Sequence, residues 1–212
     1  TVSAYLASED EFGNAELVHE VLDAIAYREG IGDTLAEGVA RCHEELGVEN
    51  WSVKGLEFAA HDGRAIHGQG LSYAVANRGA DHMYSSFLGL EYNGEVDPEG
   101  LEGKPELLIE QENRQVLRDS GIFCAFSGDY IDDEQKAELL DADFEELLAI
   151  GDRVVELERH FNNRRGFDRA DDRLPYDLPG FEAALDEYYE LRGWNADGTV
   201  PADAGPSQAA GD

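Results

Sequence analysis

"DFEELLAIGDRVVELERHFNN" (143–163) sets the fold class. Phe144, Leu147, Leu148, Val154, Val155, Leu157 and Phe161 recur near helical period, which predicts one long helix from Asp143 to about Asn163. The same period appears outward in both directions. "PGFEAALDEYYELRGW" (179–194) reads as a last helix through Phe181, Leu185, Tyr188, Tyr189 and Leu191. "PELLIEQENRQVLRD" (105–119) reads as another, with Pro105 in its first turn. "NAELVHEVLDAIAYREGIGD" (14–33) puts Leu17, Val21 and Ile25 on one face, with Asn14 as N-cap and Gly30 as stop. "GDTLAEGVARCHEELG" (32–47) predicts a further helix capped by Asp33, with Leu35, Val39, Cys42 and Leu46 aligned and Gly47 ending it.

The longest irregular segment spans 53–82. Around its start, "WSVKGLEF" (51–58) suits a strand or an extended run, and the part after Gly70 suits a short helix through Leu71, Tyr73, Ala74 and Val75 that breaks at Gly79. The expected architecture is all-α and multihelical, two packed helical subdomains with any strands short. Residues 1–130 form the first and 131–200 the second, and the Gly-, Ala-, Pro- and Asp-rich tail 201–212 is expected to be disordered.

Charge excludes several roles. The chain has 212 residues, 47 acidic against 16 basic, and a formal net charge of −31. Such a surface repels nucleic acid and anionic membranes, since phosphate binding needs clustered Lys and Arg. It reads as a solubility device for very salty water, where the self-repulsion is screened. No run approaches the roughly 20 apolar residues of a membrane helix. No secretory signal is visible, and two cysteines make no disulfide framework, so a reducing cytoplasm is expected. The chain begins "TVSAYL", without methionine, as a processed product or a piece of a longer protein would.

Candidate chemistry is sparse. His61, His67 and His82, with Asp62 and Asp81 nearby, could form a divalent-ion site, but their spacing fits no compact ligand motif. "HGQGLSY" (67–73) has no Walker lysine and no strand before it, which rules out a P-loop or a dinucleotide fingerprint. No GxSxG elbow occurs. Cys42 reads as core. Cys124, in "RDSGIFCAF" (118–126), reads by itself as a core cysteine or, more sharply, as a cluster ligand whose partners lie on other residues.

Six motifs in order extend the reading: "GIGDTLAEGV" (30–39), "VKGLEFAAHDGR" (53–64), "GQGLSYAVANRGADHM" (68–83), "DSGIFCAF" (119–126), "LERHFNNRRGFDRADDRLP" (157–175) and "LDEYYELRGWNADG" (185–198). Together they resemble the tungsten-containing aldehyde ferredoxin oxidoreductase family, in its C-terminal second and third domains. The resemblance covers about residues 12–200. It implies oxidation of small-molecule aldehydes to carboxylic acids with ferredoxin as electron acceptor. It also implies a tungsten bis-pterin (tungstopterin) and a 4Fe-4S cluster as cofactors.

The family's Asp-x-x-Gly-x-Cys motif falls on Asp119 to Cys124. The resemblance gives Asp119 a hydrogen bond to a pterin, Cys124 the fourth cluster ligand, and His82 a role in proton transfer or substrate orientation. Three features depart from the family pattern. The motif glycine stands at Gly121 rather than at position 122, "HDGR" replaces Asp-Pro-Arg, and Asn195 stands where aspartate is common. The N-terminal pterin-binding part, with its CxxCxxxC cluster motif, is missing from the sequence and becomes the expected partner. Two alternatives stand beside this reading. One is a truncated, non-catalytic helical binding or scaffold module. The other is a family member acting on a different substrate, such as an aromatic acyl thioester.

Overall fold

The computed structural model describes residues 14–127 and 130–202. Over these residues the chain is mainly helical with one small hairpin, the architecture that the apolar periods predict. The order is α1 (Ala15–Tyr27), α2 (Ile31–Leu35), α3 (Val39–Leu46), β1 (Ser52–Val53), β2 (Leu56–Glu57), α4 (His67–Val75), α5 (Leu88–Tyr92), α6 (Lys104–Ser120), α7 (Asp133–Leu140), α8 (Phe144–Arg164) and α9 (Phe181–Arg192). Short 3-10 turns lie at Ala125–Ser127 and Arg169–Asp171.

The stretch 143–163 is α8. Asp143 caps it by accepting the Glu145 N–H, which satisfies one of the donors a helix start leaves open. Helix α8 packs along α6, and α9 also packs against α6, so the main packing crosses residue 130. Gly151 permits the α6–α8 contact: a Cβ there would lie 2.4 Å from the Asn113 carbonyl oxygen. The core between these helices and α4 holds Leu71, Phe87, Leu108, Val155, Leu185 and Tyr188, all essentially buried. Burial of each such side chain is worth about 1.5–3 kcal/mol.

Several local expectations are corrected. The helix predicted from Asp33 to Leu46 is two helices, because Gly38 at φ 79° turns the chain where a helix cannot continue. Asp33 lies inside α2 and pairs with Arg28 at 2.7 Å instead of capping. Helix α1 ends at Arg28, not Gly30; Arg28 adopts a left-handed conformation and returns its N–H to Ala24 and Ile25. Leu157 and Phe161 carry the helical period but are 49% and 61% exposed, beside Asn77 and Arg78. "WSVKGLEF" is a true hairpin, pairing Ser52 with Glu57 and Val53 with Leu56 around Lys54–Gly55. Both turn residues have positive φ, as two-residue hairpins favour. Residues 203–212 lie outside the described residues, and so does the disorder expected of them.

Two of the three lysines are internal. Lys54 reaches Asp172 at 2.6 Å, and the same carboxylate accepts from Arg159 at 2.9 Å and from the Tyr189 hydroxyl. Lys104 reaches Glu91 at 2.7 Å, and Glu91 also accepts the Gly68 and Gln69 N–H groups at the start of α4. A buried carboxylate thus closes the positive end of α4 and holds the segment before the candidate site. Among the described residues no helix is long and apolar enough to cross a membrane.

Candidate functional site

Asp119 stands in the last turn of α6, and Cys124 follows in the loop that this helix releases. The helix ends in a defined way. The Ile122 N–H returns to the Asp119 carbonyl at 3.1 Å, and the Phe123 N–H to the Arg118 carbonyl at 3.0 Å. These two bonds form a Schellman motif, whose pivot residue is left-handed and most often glycine. Here the pivot is Ile122, at φ 59°. The departure noted in the sequence therefore has a structural meaning. Gly121 sits in ordinary helical conformation, while position 122 has the backbone that favours glycine. Ile122 is 93% exposed, and Cys124 and Phe126 are exposed beside it.

His82 sits in the segment between α4 and α5, which is anchored on two helices. Asn77 donates to the Val155 carbonyl on α8 at 3.1 Å, and Asn162 donates to the Asn77 carbonyl at 2.9 Å. The Tyr84 hydroxyl donates to Glu158 at 2.7 Å. The Ser72 and Ser85 hydroxyls meet at 2.6 Å, which ties the segment to α4. Burial, with Glu112 and Glu158 adding to it, pushes the Tyr84 phenol well above its ordinary value and keeps it a donor.

The structure brings this segment to Asp119. The Arg78 guanidinium lies 3.0 Å from Asp81 and 3.6 Å from Asp119, and stacks over the Tyr84 ring. Gln115 donates to Asp119 at 2.8 Å. The His82 ring meets His61 edge-on, centroids 5.0 Å apart, and His61 lies 6.3 Å from Tyr92. His67 is placed elsewhere: its Nδ1 accepts the Gly100 N–H at 2.9 Å. Among the described residues, His, Cys, Asp and Glu form no group of three or more suited to a metal ion.

The "HDGR" segment borders the site. Arg64 binds Asp62 at 2.6 Å and stacks over Trp51 and Tyr176. These hydrogen bonds hold the Asp62 carboxyl below its usual range. Gly63 fits its place because the Tyr176 hydroxyl lies 2.3 Å from where a Cβ would stand. A proline, as in Asp-Pro-Arg, would collide with it. A crevice from Trp51 and Phe58 to His61 adjoins an apolar cavity of about 630 Å³ lined by Val39, Leu46, Trp51 and Phe58.

Sequence reasoning named His82, Asp119 and Cys124 but missed Arg78, Gln115 and Arg118. Arg78 could have been found, because it lies within the motif "NRGADH" (77–82). Gln115 and Arg118 sit in a polar helical stretch that gives no local signal.

Comparisons with known proteins give the family and the fold. The family model described as aldehyde ferredoxin oxidoreductase, domains 2 and 3, matches residues 4–204. Tungsten-containing aldehyde ferredoxin oxidoreductases of Pyrococcus furiosus and Thermococcus kodakarensis are 37% and 35% identical over 90% of this chain. The chain spans 36% of the length of these relatives. Among solved structures, the active-site complex of benzoyl coenzyme A reductase with 1,5-dienoyl-CoA superposes with a TM-score of 0.62 and 21% identity. That match covers 86% of this chain and 37% of the other, and shows a shared fold.

Proposed function

The chain belongs to the aldehyde ferredoxin oxidoreductase family, and from that premise we propose that it is the C-terminal portion of a tungstopterin-dependent enzyme that oxidises aldehydes to carboxylic acids and passes the electrons to ferredoxin. In this reading Asp119 holds a pterin, Cys124 supplies one thiolate of a 4Fe-4S cluster, and His82 handles the proton released when an aldehyde becomes an acid. The observation that supports it best is the Arg78 bridge. It sets the histidine segment against the Asp119 carboxylate, on the helix end that carries Cys124.

The side chains suit these groups as part of a larger site. The Asp119 side chain is 44% exposed, so it can accept N–H donors from outside while Gln115 holds its inner oxygen. Cys124 is exposed among Ile122 and Phe126, an apolar surface of the kind another segment covers. One cysteine is a quarter of the usual cubane set, so the other thiolates must come from elsewhere. When bound, the metal–pterin group supplies the redox chemistry, and the protein orients and tunes it. An imidazole ring carries one nitrogen that can accept a proton and one that can donate it, which suits proton transfer at His82.

The test is to produce the chain alone and together with a polypeptide carrying the family's N-terminal part, then measure iron, tungsten and aldehyde oxidation. The chain alone is expected to hold no complete cluster and show no activity. The combination is expected to hold both metals, with Cys124→Ser lowering iron. Full metal loading of the 212 residues by themselves would overturn the reading.

A further inference from the structure

Asp119 and Cys124 lie at the surface and His82 is half-buried, and loop positions of this kind keep one geometry only when tied to something rigid. Chemistry on a bound group needs its contacts held to about 0.5 Å. Arg78 links two of the three parts, but it is 45% exposed, and exposed ion pairs hold weakly. A stronger tie lies underneath.

We propose that Gln115 is the positioning residue that fixes the three parts of this site relative to one another. The inference rests on reading Asp119, Cys124 and His82 as one site. Gln115 is 3% exposed and uses both ends of its amide. Its Nε2 donates to Asp119 at 2.8 Å. Its Oε1 accepts from the Arg118 guanidinium and from the Ser86 hydroxyl at 3.4 Å. Each contact leads to one part of the site. Arg118 donates onward to the Ala125 carbonyl at 3.2 Å, next to Cys124. The Ser86 N–H donates to the His82 carbonyl at 3.2 Å.

The amide cannot rotate by half a turn without loss. Its NH₂ would then face the Arg118 guanidinium, donor against donor, and its oxygen would face the Asp119 carboxylate. Burial strengthens the correct arrangement and penalises every other one. Gln115 therefore holds the Asp119 carboxylate and both loops in a single orientation, without touching substrate or cofactor.

The test is amide hydrogen exchange by NMR on the 212-residue chain without cofactors. Gln115→Leu is expected to speed exchange at Phe123 and Ser86 about tenfold each, the equivalent of one net hydrogen bond, and to leave Val155 in α8 unchanged. Gln115→Glu keeps an acceptor oxygen for Arg118 and Ser86 but sets a second carboxyl against Asp119. Relative to wild type at the same pH, it should therefore restore protection at both amides only at acid pH, where the two carboxyls share a proton, and lose it as pH rises. Arg118→Met, which cuts only the arm to Ala125, should speed Phe123 alone. The inference is overturned if Gln115→Leu leaves both amides at the wild-type rate. It is equally overturned if Gln115→Glu gives no rescue at acid pH, or if the variants speed Phe123, Ser86 and Val155 alike, which is general loosening. A positive result with no metal uptake in the paired-chain experiment would sink the functional proposal and leave this coupling standing.

Discussion

Asp172→Asn is the substitution with the largest expected cost. Its side chain is fully buried and serves two cations and a hydroxyl: Lys54 at 2.6 Å, Arg159 at 2.7–2.9 Å, and Tyr189. Neither cation is solvated; the Lys54 side chain is 3% exposed and that of Arg159 is 0%. Neutralising the carboxylate leaves both uncompensated, and breaking one buried pair in this way costs about 3–5 kcal/mol. That is a large part of the roughly 5–15 kcal/mol that holds a domain together.

Lys54→Met makes the opposite case. It removes the second cation and leaves Asp172 balanced by Arg159, so its cost should stay below about 1 kcal/mol. Titration gives a second reading. Burial pushes the Lys54 ammonium below its ordinary value, against the pull of Asp172. Just beneath the ordinary lysine pKa the unfolded chain therefore binds more protons at this residue than the folded one. Stability contributed by Lys54 rises with pH through that window. Lys54→Met should abolish the rise. The assay is urea unfolding at fixed high salt, comparing midpoint and slope across pH. If Asp172→Asn and Lys54→Met cost the same, or Asp172→Asn costs less than about 1 kcal/mol, the reasoning fails.

Ile122→Gly should stabilise the chain by roughly 0.5–1 kcal/mol: relief of a left-handed residue is worth about 1–2 kcal/mol, less about 0.5–1 kcal/mol for glycine's freedom when unfolded. Ile122 has little burial to lose, so a lower melting temperature for this variant would refute the strained pivot. Gly63→Ala should cost about 1–3 kcal/mol by overpacking against the Tyr176 hydroxyl. Adding Tyr176→Phe should recover only part of it, because the Gly70 backbone is also close; full recovery, or no loss at first, counts against the fit. Burial raises the Glu112 carboxyl above its usual range despite Arg192. The folded state thus holds the proton longer, and stability from this group is present at low pH and lost as pH rises through the raised pKa. Glu112→Gln should flatten that part of the pH–stability curve, and an unchanged slope would place the titration elsewhere.

The helices were legible because their cause is local. A helical apolar period survives in α1, α6, α8 and α9 whatever they pack against, and Asn14, Asp143 and Pro105 mark their starts within a turn. Legibility ended where conformation depends on a neighbour. Leu157 and Phe161 keep the period of α8 but lie exposed beside Arg78. The two short helices on either side of Gly38 share one period, so the pattern alone could not separate them.

The site divides in the same way. Sequence by itself determined that His82, Asp119 and Cys124 belong to motifs worth following, because residue type and order are written along the chain. Tertiary structure decided what holds them. Lys54 and Lys104, ordinary in composition, are internal counterions because a buried carboxylate needs a cation within a few ångströms. Gln115 and Arg118 look like any polar residues of an amphipathic helix until the fold brings Asp119, Ser86 and Ala125 to them. Helical period depends on spacing along the chain, whereas a hydrogen-bond hub depends on which donors and acceptors folding places within 3.5 Å.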